Sequence, residues 1–133
     1  MKTHHSLLPF LIIICLFANC SGSGSKEDKE EKGKTTIQLP PDQFKSKLSS
    51  TPGAVLVDVR KPEEVAEGMI DGAINIDYSA PTFDAEIQKL DKTSTYFLYC
   101  KSGKRSSDAA RKMEDEGFEN IYVLEGGYSN LEQ

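Results

Sequence analysis

The chain has 133 residues, a net charge of −5 and an apolar fraction of 38%, without tryptophan. That is enough for one domain once the ends are set aside. Its lysines and arginines alternate with acids and form no basic stripe, which argues against a nucleic-acid-binding surface.

Residues 1–19 read as an export signal. Lys2, His4 and His5 precede an apolar run from Leu7 to Ala18, which is short of the roughly 20 residues that span a bilayer. The run ends at Cys20, followed by Ser-Gly-Ser-Gly-Ser, and here it resembles the signal of a bacterial lipoprotein. The resemblance implies cleavage before Cys20 and a lipid on that cysteine. The domain is then expected outside the cytoplasm, on the periplasmic or cell-surface side, held to a membrane; plain secretion is the alternative. Cys15 leaves with the signal, so Cys100 becomes the lone thiol and no internal disulfide can form. Residues 20–35 hold Gly, Ser and a dense charge run with nothing apolar to bury, the composition of a solvated tether.

The folded domain is expected over 36–133. Thr35 to Leu39 alternates as a short edge strand, which Pro40 and Pro41 end, and a helix over 42–48 puts Phe44 and Leu48 on one face. After the Pro52-Gly53 turn, residues 54–59 form an apolar strand interrupted only by Asp58, with Arg60 just past its end. Pro62-Glu63-Glu64 suits a first helical turn, and Gly68 closes that helix. A turn leads into a third strand by Ile76, and Phe83, Ile87 and Leu90 mark a helix face. The uncharged run Thr95 to Tyr99 reads as a strand buried on both faces. Ala109, Ala110 and Met113 then define a helix over 106–116 that Gly117 ends. Residues 120–124 make the last strand and Glu125-Gly126-Gly127 the last turn. Strands alternating with helices predict a parallel α/β sheet, whose ligands bind at the carboxyl ends of the strands. Cys100 stands at one such end, and Asp58 and Arg60 at another.

The loop Cys100-Lys101-Ser102-Gly103-Lys104-Arg105 carries the chemistry. Backbone N–H groups ahead of a helix lack internal partners and can converge on an anion. A helix N-terminus and nearby cations lower a thiol from its free value of about 8.5. Lys101, Lys104 and Arg105 supply positive charge, and Gly103 frees the backbone to turn. An inert buried cysteine at a strand end is the bland alternative.

These residues resemble the rhodanese family, specifically its single-domain sulfurtransferases. The matching pieces are Val57-Asp58-Val59-Arg60 with Glu63-Glu64, then Gly68 to Ile76, then the Cys100 loop with Ser106, then Val123-Leu124-Glu125-Gly126-Gly127. They run in the family's order over roughly residues 36–131. Met69 and Leu131 stand where many members have His and Trp, and are read as packing variation. The resemblance implies a five-stranded parallel sheet flanked by helices on both faces. It also implies a persulfide on Cys100, cradled by loop amides, with no separate cofactor and no metal. The donor would be thiosulfate or a similar small anion, and the acceptor cyanide, a thiol or a protein.

Within that reading, Lys101 and Lys104 steer and bind the donor. Arg105 either donates to the bound anion or pairs with Asp58 or Glu64 to brace the loop. Arg60 is either a substrate ligand or a salt-bridge residue of the neighbouring strand end. A persulfide carrier or sulfide sensor that serves one partner protein would use the same site. A cysteine phosphatase or arsenate reductase is disfavoured, because its arginine falls six positions after the cysteine, where Ser106 stands.

Overall fold

A computed structural model describes residues 36–131. The expected signal, the lipid-bearing Cys20 and the tether lie outside the described residues. In chain order the elements are β1 (Thr36–Leu39), α1 (Pro41–Ser49), β2 (Val55–Asp58), α2 (Pro62–Ala66), β3 (Ile74–Asn75), α3 (Phe83–Ile87), β4 (Thr95–Tyr99), α4 (Lys104–Asp115) and β5 (Asn120–Leu124). A single 3-10 turn, Tyr128–Asn130, follows β5. The strands form one sheet in the order β1-β5-β4-β2-β3, every pair parallel. The five-stranded parallel sheet is therefore present, with β1 at its edge.

Side chains on β4 alternate between the faces of the sheet, as a pleated strand requires. Tyr96, Leu98 and Cys100 join Val57, Val59, Ala109, Ala110, Met113, Phe83 and Ile87 in the core beneath α3 and α4. Phe97 and Tyr99 join Phe44, Leu56 and Leu124 in a second core on the other face, beneath α1. Helices thus cover both faces, and β4, with Tyr96 to Tyr99 at most 1% exposed, is the buried centre of the sheet.

Some boundaries differ from the sequence expectation. Helix α4 starts at Lys104 instead of Ser106, because Gly103 (φ +92°) caps it from the left-handed region, which glycine enters at little cost. Helix α3 stops at Ile87, and Leu90 packs onto the core from the turn beyond. Both shifts leave the predicted apolar faces intact.

Candidate active site

Cys100 follows β4 directly and its side chain is fully buried. The Gly103 amide donates to Cys100 Sγ at 3.1 Å, and the Ser106 hydroxyl approaches the same sulfur at 3.5 Å. Burial pushes the thiol up. The Ser106 hydroxyl and the amides of Ser106, Ser102 and Gly103 more than offset that, and the thiol lies below its ordinary value.

The Ser102 amide points at the sulfur because the carbonyl of its own peptide is held from behind. The Tyr128 amide donates to the Cys100 carbonyl at 2.7 Å, and the Ser129 amide to that of Lys101 at 3.1 Å. In a trans peptide the N–H points opposite its C=O. Anchoring the Lys101 carbonyl outward therefore turns the Ser102 amide inward. The approach is close enough that a Cβ on Gly127 would fall 2.5 Å from the carbonyl oxygens of both Cys100 and Lys101. Gly127 also sits at φ +65°, ψ −163°, a region used essentially by glycine alone.

Ser106 has a single proton and two acceptors within reach, Cys100 Sγ and the Gly103 carbonyl at 3.1 Å. That carbonyl already receives the Ser107 hydroxyl at 2.7 Å and the Ser107 amide at 3.1 Å. Ser106 is thus free to turn its proton to the sulfur when the sulfur is charged.

The cations that the sequence places in the loop do not close around the sulfur. None of them donates a hydrogen bond to it among the described residues. Lys104 is exposed and pairs with Asp108 at 3.2 Å, one turn along its own helix. Arg105 turns to α2 and grips Glu64 through both carboxylate oxygens, at 2.7 and 2.8 Å. That contact draws the Glu64 carboxyl down to about 2. Lys101 points into solvent at the rim of a cleft of about 190 Å³. Helix direction explains the divergence: α4 begins at Lys104, so side chains 104 and 105 already radiate from a helical turn.

Asp58 and Arg60 lie beside the loop, both buried. Arg60 donates Nε to both Asp58 oxygens at 3.0 Å and Nη2 at 2.7 Å, and Nη2 also reaches the Gly68 carbonyl at 2.6 Å. Its guanidinium lies 4.4 Å from the centre of the Tyr128 ring and 5.7 Å from that of Tyr99. Of the two roles open to Arg60, the geometry fits the brace: it holds the residue whose amide anchors the Cys100 carbonyl. Arg105 likewise pairs with Glu64, not Asp58.

Ser106 and the Gly127-Tyr128-Ser129 backbone belong to the site although neither was read from sequence as contacting it. The signal for Ser106 was present: a hydroxyl in the first turn of a helix opened by a cysteine loop. For Tyr128, the Gly-Gly pair before it marked only a turn, with no sign of what that turn packs against.

The family model for the rhodanese-like domain matches residues 40–133. The chain belongs to that family. It is 37% identical over 84 residues to the putative sulfurtransferase YtwF of Bacillus subtilis, covering 63% of this chain and 79% of YtwF. It is 34% identical over 92 residues to the thiosulfate sulfurtransferase GlpE of Stutzerimonas stutzeri, covering 68% and 80%. Among solved structures, a rhodanese-like domain protein from Staphylococcus aureus superposes with TM-score 0.60 at 30% identity, over 68% of this chain and 85% of that one. The Cys100 loop of this rhodanese-like domain ends the central strand of the shared fold.

Proposed function

We propose that the protein is a sulfurtransferase that works through a persulfide on Cys100. The observation that carries this is the converging set of donors on one buried sulfur, led by the Gly103 amide at 3.1 Å. Burial alone would keep the thiol neutral, and here hydrogen bonding reverses the sign.

The Cys100 thiolate attacks the outer sulfur of a thiosulfate-type donor. The donor's S–S bond breaks, sulfite leaves with the electron pair, and Cys100 holds Cys–S–S⁻. A nucleophilic acceptor (cyanide, a thiol or a protein thiolate) then takes the outer sulfur, and the thiolate of Cys100 returns. Charge is conserved in each step. Fixed amide dipoles meet the negative charge without reorganising, which is where their catalytic value lies. Lys101, at the rim, is the cation best free to draw an anionic donor toward a protein that is otherwise negative. The chemistry needs no cofactor beyond the covalent sulfur.

The relative named a thiosulfate sulfurtransferase supports thiosulfate as donor. The Leu7–Ala18 run and Cys20 support export and lipid anchoring. A carrier that hands sulfur to a partner protein would use the same geometry, and turnover with small acceptors separates the two.

Full-length protein treated with thiosulfate is expected to gain the mass of one sulfur atom, and the Cys100→Ser variant none. The variant is also expected to make no thiocyanate from thiosulfate and cyanide. Thiocyanate production by Cys100→Ser overturns the proposal. Intact mass reports acylation of Cys20 in the same spectrum.

A further inference from the structure

We propose that the free edge of β1 is a self-association surface, on which a second copy of the chain adds its own β1 antiparallel to make a weak, reversible two-fold dimer.

Strand β1 is the outer strand of the sheet and pairs on one side, with β5. Successive residues of a strand turn their main-chain groups to opposite sides. The Leu39 carbonyl accepts the Glu125 amide at 2.9 Å, so Leu39 and Ile37 face β5 while Gln38 and Thr36 face outward. The outward Thr36 amide is taken by the Glu114 carboxylate. The amide and carbonyl of Gln38 have no partner among the described residues. An outward donor and acceptor on one residue are self-complementary. An antiparallel copy centred there sets Gln38 opposite Gln38, each amide donating to the other's carbonyl.

The same register brings Ile37 of one copy beside Leu39 of the other, on the α1 face. Ile37 is 48% exposed and, with Leu39 and Tyr122, lines an open groove of about 550 Å³ between β1 and α1. Pairing joins the two grooves into one trough and shields Ile37 from water. Because α1 runs back against β1, the two-fold sets the Asp42 end of one α1 level with the Lys47 end of the other. Both residues line the groove, so opposite charges stand on facing walls. An unrelated extended segment could use the Gln38 groups but gains no such match.

The pairing cannot spread. One step along, the Thr36 carbonyl meets Pro40, which has no N–H to give, and the Pro40 carbonyl already receives the Phe44 amide at 2.8 Å. A contact between four-residue strands falls well under the roughly 800 Å² per partner of a stable interface, which makes the dimer concentration-dependent. The antiparallel arrangement leaves the two Cys100 loops at opposite ends of the joined sheet, so sulfur transfer is independent of association.

The test uses full-length protein. Residues directly opposite in a hydrogen-bonded pair have Cα atoms about 5.5 Å apart, within disulfide reach, whereas diagonal neighbours at about 7–8 Å lie outside it. Under mild oxidation Gln38→Cys should form a dimer linked through position 38, located by peptide mass spectrometry. Ile37→Cys, whose copy is diagonal to it, should not link. In sedimentation up to about 1 mM, the weak end of specific association, the unaltered chain should show a monomer–dimer equilibrium. Ile37→Lys should weaken it about tenfold, by charging the edge and withdrawing the shielded side chain, with circular dichroism unchanged. A chain that stays monomeric, equal linkage at 37 and 38, or association indifferent to Ile37→Lys overturns the proposal. So does a disulfide from position 38 to Cys15 or Cys20 of the same chain, which would put the leading segment on this edge. None of these outcomes bears on the persulfide at Cys100.

Discussion

The carboxyl ends of β2 and β4 are neighbours in the sheet, with Asp58 opposite Tyr99, yet they are built from different materials. At the end of β4 the working groups are main-chain amides, aimed by hydrogen bonds to the carbonyls behind them. At the end of β2 the structure is carried by side chains: a buried carboxylate, a buried guanidinium and two aromatic rings. A main-chain cradle tolerates most side-chain changes but no loss of backbone path. A side-chain strut tolerates backbone adjustment but no loss of a partner. Substitutions at the two ends should therefore fail in different ways.

The largest effect is expected from Gly127→Ala. The new Cβ must displace the carbonyls of Cys100 and Lys101, and the positive-φ conformation adds about 1–3 kcal/mol of strain. A displacement of about 1 Å in a reacting group can cost about a hundredfold in rate. Sulfur loading by intact mass should drop by that order, with the fold kept by circular dichroism. Loading at the normal rate would show that the cradle does not depend on this close approach.

Asp58→Ala should come next and fail through stability instead. It strands the buried Arg60 guanidinium without its carboxylate, a loss of about 3 kcal/mol. Urea unfolding should report it, and the molecules that remain folded should load sulfur at a rate much closer to normal than in Gly127→Ala. If instead loading collapses while stability holds, Arg60 acts on substrate and the strut reading is wrong.

Ser106→Ala sharpens the picture of the cradle. It removes one of the donors that hold the Cys100 thiol down, so burial regains weight and the thiol rises. The pH midpoint of thiosulfate loading is expected to move upward, and loading at neutral pH to slow severalfold with little change in stability. An unmoved midpoint would mean that the amides alone set the charge on the sulfur.

The difference between the two ends also explains what the sequence could disclose. Cys100, its strand, its helix and the order of elements were legible, because apolar period and turn residues report local geometry and a parallel sheet follows from their alternation. The partners of Arg60 and Arg105 were narrowed to short choices, Arg105 to Asp58 or Glu64. Choosing between them needs the three-dimensional spacing of α2 and α4. That Lys104 turns to Asp108, and which of its two roles Arg105 takes, could not be read, because sequence gives the proximity of charges and not their direction. Their direction depended on where α4 begins, and Gly103 moved that start two residues earlier. Tyr128 was the least legible of all: its contribution is an amide, which every non-proline residue has.

The smallest effect expected is at the bridge between the two ends, where Glu64 on α2 meets Arg105 on α4. The pair is partly exposed, so its loss in Glu64→Gln should cost only about 1 kcal/mol at neutral pH. The pH dependence identifies it. Arg105 holds the folded carboxyl at about 2, against 4.5 for the free group. A carboxyl lowered on folding contributes stability that is fully present above the free value and is lost as pH falls through the folded one. Urea midpoints of the two proteins should therefore differ at pH 7 and converge as the pH is lowered from 4.5 toward about 2. A gap that persists unchanged across that window would rule out the ion pair as its source. Because the cradle is anchored from behind by Tyr128 and Ser129, Glu64→Gln should leave the loading rate within about twofold, the scale of a weak surface contact. A far larger loss would make Arg105 part of the chemistry, and the line between a main-chain site and a side-chain strut would have to be redrawn.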